Sequence, residues 1–144
     1  MKKAFTATAM LLALLVLSGC TATETAPKEE KSTLPSSTAA VYQKISAQEA
    51  HKIMDETQGY VILDVRTLEE FEQGHIKNAV LLPVTDIAAK AEEQLKDKDQ
   101  VLLVYCRSGR RSAQAAQALI EMGYTKVFDF GGIIDWTYET VTGK

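Results

Sequence analysis

The sequence predicts an α/β domain with a central, mostly parallel five-stranded sheet and helices on both faces. Three observations carry that expectation. From residue 41 onward, short runs rich in Val, Ile and Leu alternate with amphipathic stretches, the pattern of strand and crossover helix. The run Tyr60 to Val65 is almost continuously apolar, as in strands buried on both faces. Two Ser/Thr-x-x-Glu patterns, at Ser46 and Thr67, mark helix starts.

Taken in order, Val41 to Ile45 is a short strand candidate, and Ser46 with Glu49 opens a helix through about Glu56. Tyr60 to Val65 is the second strand. Thr67 with Glu70 opens a short helix to about Gln73, and Ala79 to Leu82 is a brief strand stopped by Pro83. Asp86 to Leu95 has helical character, and the polar turn Lys96 to Gln100 leads into a strand at Val101 to Tyr105. Ser112 to Met122 predicts a helix with Ala113, Ala116, Leu119 and Ile120 on one face, ended by Gly123. Val127 to Phe130 is the last strand, followed by Gly131-Gly132 and a terminal helix around Ile134 to Glu139. Ligands of parallel sheets sit at the carboxyl ends of the strands. Cys106 lies at such an end, on the strand expected to be most central.

That thiol has unusual neighbours. Cys106-Arg107-Ser108-Gly109-Arg110-Arg111 stands where a strand becomes a helix, and a helix start offers unpaired N–H groups and the positive end of the peptide dipoles. Three arginines within five residues add positive charge. A free cysteine titrates near pH ~8.5, and such surroundings lower that to between about 3.5 and 7.5, so a thiolate nucleophile is expected. Gly109 suits a loop that aims successive amides at one centre.

Length and charge exclude several classes. The 144 residues, 46% of them hydrophobic, fit one folded domain. Sixteen basic against nineteen acidic residues leave a net charge of -3, so no nucleic-acid partner is expected and the basic loop is a pocket for a small anion. The N-terminus predicts a targeting segment over residues 1–19: Lys2 and Lys3 supply charge, and Ala9 to Leu17 is apolar but too short to span a bilayer, which needs about 20 residues. Residues 20–39 are rich in Thr, Ser, Ala, Lys, Glu and Pro and predict a flexible tether. The folded domain is expected over residues 40–144.

Leu17-Ser18-Gly19-Cys20 resembles the bacterial lipoprotein lipobox, which implies lipidation of Cys20. The expectation is an exported protein, lipid-anchored in a bacterial cell envelope at the periplasmic face of a membrane or at the outer surface. Of the two cysteines, lipidation leaves Cys106 as the one thiol, excluding an intrachain disulfide, a CxxC redox role and a thiolate metal site.

Three segments resemble the rhodanese (thiosulfate sulfurtransferase) family, in its small single-domain form. Leu63-Asp64-Val65-Arg66 through Glu70-Phe71 to Gly74-His75-Ile76 resembles its N-terminal signature, Cys106 to Ser112 its active-site loop, and Gly131-Gly132 with Trp136 its C-terminal motif. Where the family usually has glycine before alanine this chain has Asn78, the next best residue at positive φ. The resemblance implies a three-layer domain and a sulfur transfer through a Cys106 persulfide. It implies Arg111 as the cation closing the loop on the substrate, Arg107 as its flank, and Ser108, Gly109 and Arg110 as further donor-binding positions. No metal or organic cofactor is implied. The partners implied are a small anionic sulfur donor and a thiol or cyanide-like acceptor, with a protein sulfur acceptor as an alternative.

Asp64, Arg66 and His75 are read as supporting residues, with Arg66 pairing Glu70 across the following turn. His75 is expected to serve architecture, because a catalytic histidine must reach the reacting atom. Trp136 and Phe130 are expected in the core, and His51 in solvent. Two rivals remain for the function. Cysteine-dependent phosphatases and arsenate reductases use Cys, five residues, then Arg, and here that position is Ser112, leaving the loop one residue short. A tethered persulfide carrier or binding module would use the same pocket without much turnover.

Overall fold

The computed structural model of the protein describes residues 42–143; the targeting segment, tether and lipidation site expected over residues 1–39 lie outside the described residues. The elements run β1 (Gln43–Lys44), α1 (Ala47–Glu56), β2 (Val61–Asp64), α2 (Leu68–Gln73), β3 (His75–Ile76) and β4 (Val80–Leu81). A 3-10 turn (Val84–Asp86), α3 (Ile87–Gln94), β5 (Val101–Cys106), α4 (Arg110–Glu121), β6 (Lys126–Gly132), a second 3-10 turn (Ile133–Asp135) and β7 (Thr140–Val141) complete the order.

Five strands form one sheet in the order β1-β6-β5-β2-β4, and every neighbouring pair is parallel. The β5 strand is central, which places the end carrying Cys106 in the middle of the carboxyl edge. Alternate residues of β2 and β5 face opposite ways. Leu63, Leu102 and Val104 pack with Ile87 and Ala91 of α3 and Ala115, Ala116 and Leu119 of α4. Ile62, Leu103 and Tyr105 pack with Ala50 of α1 and with Phe130. Burial on both faces explains the continuous apolar run, and each fully buried Leu contributes about 1.5–3 kcal/mol.

Local signals set the helix starts. Both capping boxes form: Glu49 N donates to Ser46 Oγ at 3.2 Å while Ser46 N donates back to Glu49 Oε2 at 2.8 Å. Thr67 and Glu70 repeat the exchange at 3.3 and 3.2 Å. Asn78 adopts φ +64°, the left-handed turn expected for it. Gly123 ends α4, with its N–H on Ile120 O and the N–H of Tyr124 on Leu119 O, satisfying carbonyls the helix leaves open.

Three expectations need correction. The α4 helix starts at Arg110, two residues before Ser112, because Gly109 takes the left-handed conformation at the cap (φ +97°) and Arg110 and Arg111 are good helix formers. Its buried face is Ser112, Ala115, Ala116, Leu119 and Ile120, while Ala113 is half-buried. The terminal helix does not form. A single 3-10 turn is followed by extended chain whose Thr140 and Val141 pair antiparallel with Ile76 and His75. So short a helix is unstable alone, and the free edge of His75–Ile76 offers its backbone partners instead.

Candidate active site

The site is assembled where β5 and β6 end together. Val104 pairs with Asp129 and Cys106 with Gly132, so β6 carries one residue more than β5 across this step. Such a bulge bends the strand end. Asp129, fully buried, accepts the Gly131 N–H on Oδ1 at 3.0 Å and fixes the bend. Gly132 then passes directly under the loop: a Cβ there would lie 2.3 Å from the Arg107 carbonyl oxygen and 2.7 Å from Ser108 Cα. No side chain larger than hydrogen fits.

Cys106 is 1% exposed and its thiol is free. The loop wraps the sulfur with polar partners. Gly109 N donates to Sγ at 3.1 Å, and Ser112 Oγ lies 3.7 Å from it. Burial pushes this thiol up, but hydrogen bonds from the Ser112 amide and hydroxyl and from the Ser108 and Gly109 amides together bring it below the ordinary thiol value. What opposes the burial is thus a set of hydrogen bonds at a helix start. Ser112 is itself fully buried and held by Gly109 O at 3.0 Å and Gly131 O at 3.2 Å. It joins the loop to the bulge.

Arg111 makes a two-pronged ion pair with Glu70, at 2.6 and 2.7 Å. The guanidinium holds the Glu70 carboxyl at about 2. In turn Glu70 raises Arg111, and the pair ties α2 to the cysteine loop. Arg107 and Arg110 are exposed, and among the described residues neither side chain has an ion-pair or hydrogen-bond partner. Arg107 lines a cleft of about 520 Å³ with Arg66, Glu70, Ile133, Trp136 and Tyr138. Ser108 and Gly109 border a second cleft of about 430 Å³.

Among the described residues Cys106 is the one thiol in this bulge-seated loop at the centre of a parallel sheet, and residues 46–139 match the family described as Rhodanese-like domain. The chain belongs to the rhodanese-like domain family. It is 37% identical over 81 residues to the thiosulfate sulfurtransferase PspE of Escherichia coli (strain K12), covering 56% of this chain and 78% of that one. A sulfurtransferase of Allochromatium vinosum is 38% identical over 94 residues, covering 65% and 86%. Among solved structures, a rhodanese with anions from E. coli shares 36% identity with a TM-score of 0.56, covering 58% of this chain and 99% of that one.

In this rhodanese-like domain one supporting residue, Arg66, pairs differently from expectation. Arg66 does not pair Glu70. Both its Nε and its Nη2 bond Asp64, at 2.9 and 2.6 Å, and Nη2 also donates to Gly74 O at 2.7 Å. Asp64 lies two residues away in a fully buried position, where an unpaired carboxylate would be costly, and Glu70 is taken by Arg111. His75 is buried, stacked on Phe71 at 3.6 Å, with Nδ1 bonded to Phe71 O at 2.9 Å. His51 is half-buried rather than free in solvent: it stacks on Tyr138 at 3.8 Å, and its Nδ1 lies 3.1 Å from Asp55. Phe130 is core, whereas Trp136 packs at the core's edge and forms a cleft wall.

Sequence reasoning missed Ser112, Asp129 and Glu70 as parts of the site. A usable signal existed for Asp129, a charge inside the apolar run Val127 to Phe130. For Ser112 the signal was the count that placed it where phosphatases carry arginine. Glu70 stands in the N-terminal signature and in a capping box, but its pairing with Arg111 was not legible, since the two lie 41 residues apart.

Proposed function

We propose that the protein is a sulfurtransferase that carries sulfane sulfur on Cys106, from an anionic donor such as thiosulfate to a thiophilic acceptor. The Cys106 thiolate attacks the outer sulfur of thiosulfate. A new S–S bond forms, the donor's S–S bond breaks, and its electron pair leaves with sulfite. The persulfide keeps the single negative charge of the thiolate. An acceptor thiolate or cyanide then attacks the terminal sulfur, returning the Cys106 thiolate and leaving an acceptor persulfide or thiocyanate.

The observation that carries this reading is the Gly109 amide on Cys106 Sγ, backed by Ser112, in a loop of only six residues from Cys106 to Arg111. Those donors favour the anionic sulfur both before and after loading. Arg111, Arg107 and Arg110 provide the positive charge that draws the donor, while Asp64, Arg66 and His75 hold the frame. Export and lipid anchoring at Cys20 complete the proposal, and labelled fatty acid should enter the wild-type chain in bacteria and not Cys20→Ser. Purified full-length protein should form thiocyanate from thiosulfate and cyanide, and Cys106→Ser should form none. Hydrolysis of aryl phosphates without sulfur transfer would overturn the reading.

A further inference from the structure

Building on that reading, we infer that the cleft beside the loop is the acceptor site, and that it selects small anionic thiols carrying an aromatic or branched apolar body. The cleft volume, about 520 Å³, lies in the range of roughly 300–1,000 Å³ that holds whole organic molecules. That space is for the second reactant.

The lining defines that reactant. One wall is apolar and aromatic, built from Ile133, Ile134, Trp136 and Tyr138. Ile134 is 66% exposed and Tyr138 37% exposed, so these groups offer uncovered surface that an apolar body would shield. Trp136 and Tyr138 meet edge-on at 4.9 Å, and Tyr138 is braced by the His51 ring, which makes the wall a preformed surface. The opposite side carries the charge. Arg66 is consumed by Asp64, and Glu70 by Arg111. Only Arg107 keeps an uncommitted cation in this cleft among the described residues, so the net field favours an anion. Arg107 is next in the chain to Cys106, and Glu70, on the same cleft, grips Arg111 of the cysteine loop at 2.6 and 2.7 Å, so the cleft borders that loop. A thiol seated between wall and cation is therefore presented to the persulfide.

The experiment loads the full-length protein with thiosulfate, removes excess donor, and measures single-turnover transfer to four thiols at equal thiolate concentration. These are carboxybenzyl mercaptan, mercaptopropionate, mercaptoethanol and cysteamine, with cyanide as a reference. Carboxybenzyl mercaptan should exceed mercaptoethanol by about tenfold, the worth of one good contact, with cysteamine slowest. Ile134→Glu should slow the two anionic thiols by about threefold and speed cysteamine, as expected for a single partly screened charge, whereas Ile134→Lys should keep the wild-type order. Rates that follow thiolate concentration alone, indifferent to ring and charge, overturn this inference while the sulfur-transfer reading stands. Failure to load Cys106 at all overturns both.

Discussion

The two capping boxes of this domain are the same motif put to different uses. At α1, Ser46 and Glu49 exchange hydrogen bonds with each other at the surface, and Glu49 grips no residue of the cysteine loop. At α2, Glu70 makes the same exchange with Thr67 and also grips Arg111 of the cysteine loop. Both carboxyls are lowered, Glu49 by its bonds to Ser46 alone and Glu70 chiefly by Arg111, to about 2. A local motif thus shows where a helix begins. Only the fold shows whether its side chain has a second task.

Substitutions that separate cap from clamp sharpen this contrast. The largest effect is expected for Glu70→Gln, which keeps the cap geometry but removes the charge from a half-buried pair. Loss of about 1.5–3 kcal/mol in urea unfolding is expected from hydrogen bonds to a charged group. Sulfur transfer should fall by about tenfold as Arg111 loses its anchor. Arg111→Lys replaces a forked contact by a point charge and should lower kcat/KM by a smaller factor, with a double-mutant cycle showing coupling to Glu70. The smallest functional effect belongs to Ser46→Ala: about 1 kcal/mol of stability, with kcat/KM unchanged. Equal activity losses from Ser46→Ala and Glu70→Gln would break the comparison.

Acid titration separates the boxes again. The folded Glu70 carboxyl lies below its ordinary 4.5, at about 2, so its stabilisation is complete above 4.5 and is lost as pH falls from 4.5 toward 2. Wild type and Glu70→Gln should therefore converge in stability across that window. Cys106 is lowered as well, so the acid limb of persulfide formation should lie below the ordinary thiol range. Ser112→Ala, which removes one of the sulfur's hydrogen-bond partners, should move that limb upward.

What was legible in the chain followed the range of the interaction. The capping boxes, the double-buried β2 and β5 strands, the Asn78 turn and the Gly123 stop all depend on neighbours in sequence. The position of Cys106 where β5 turns into α4 was legible for the same reason. Interactions that close over tens of residues were not: Tyr124 sealing the end of α3 through Ala91 O and Leu95 O, and Arg111 reaching Glu70. The two-residue strands β3 and β7 are too short to show a period, so the sequence around Ile134 to Glu139 suggests a helix where the chain instead runs on to pair with β3. Arg66 was misassigned between two nearby carboxylates because burial, which makes Asp64 the more demanding partner, is not written in local sequence.

The central claim is that the Cys106 cradle accepts one sulfur from an oxyanion donor. Intact-mass and peptide mass spectrometry after thiosulfate exposure, with sulfite counted in the same sample, tests it most directly. The account predicts one sulfur gained on the Cys106 peptide and one sulfite released per chain, both absent in Cys106→Ser. An unmodified Cys106, or sulfite release that survives that substitution, would contradict it.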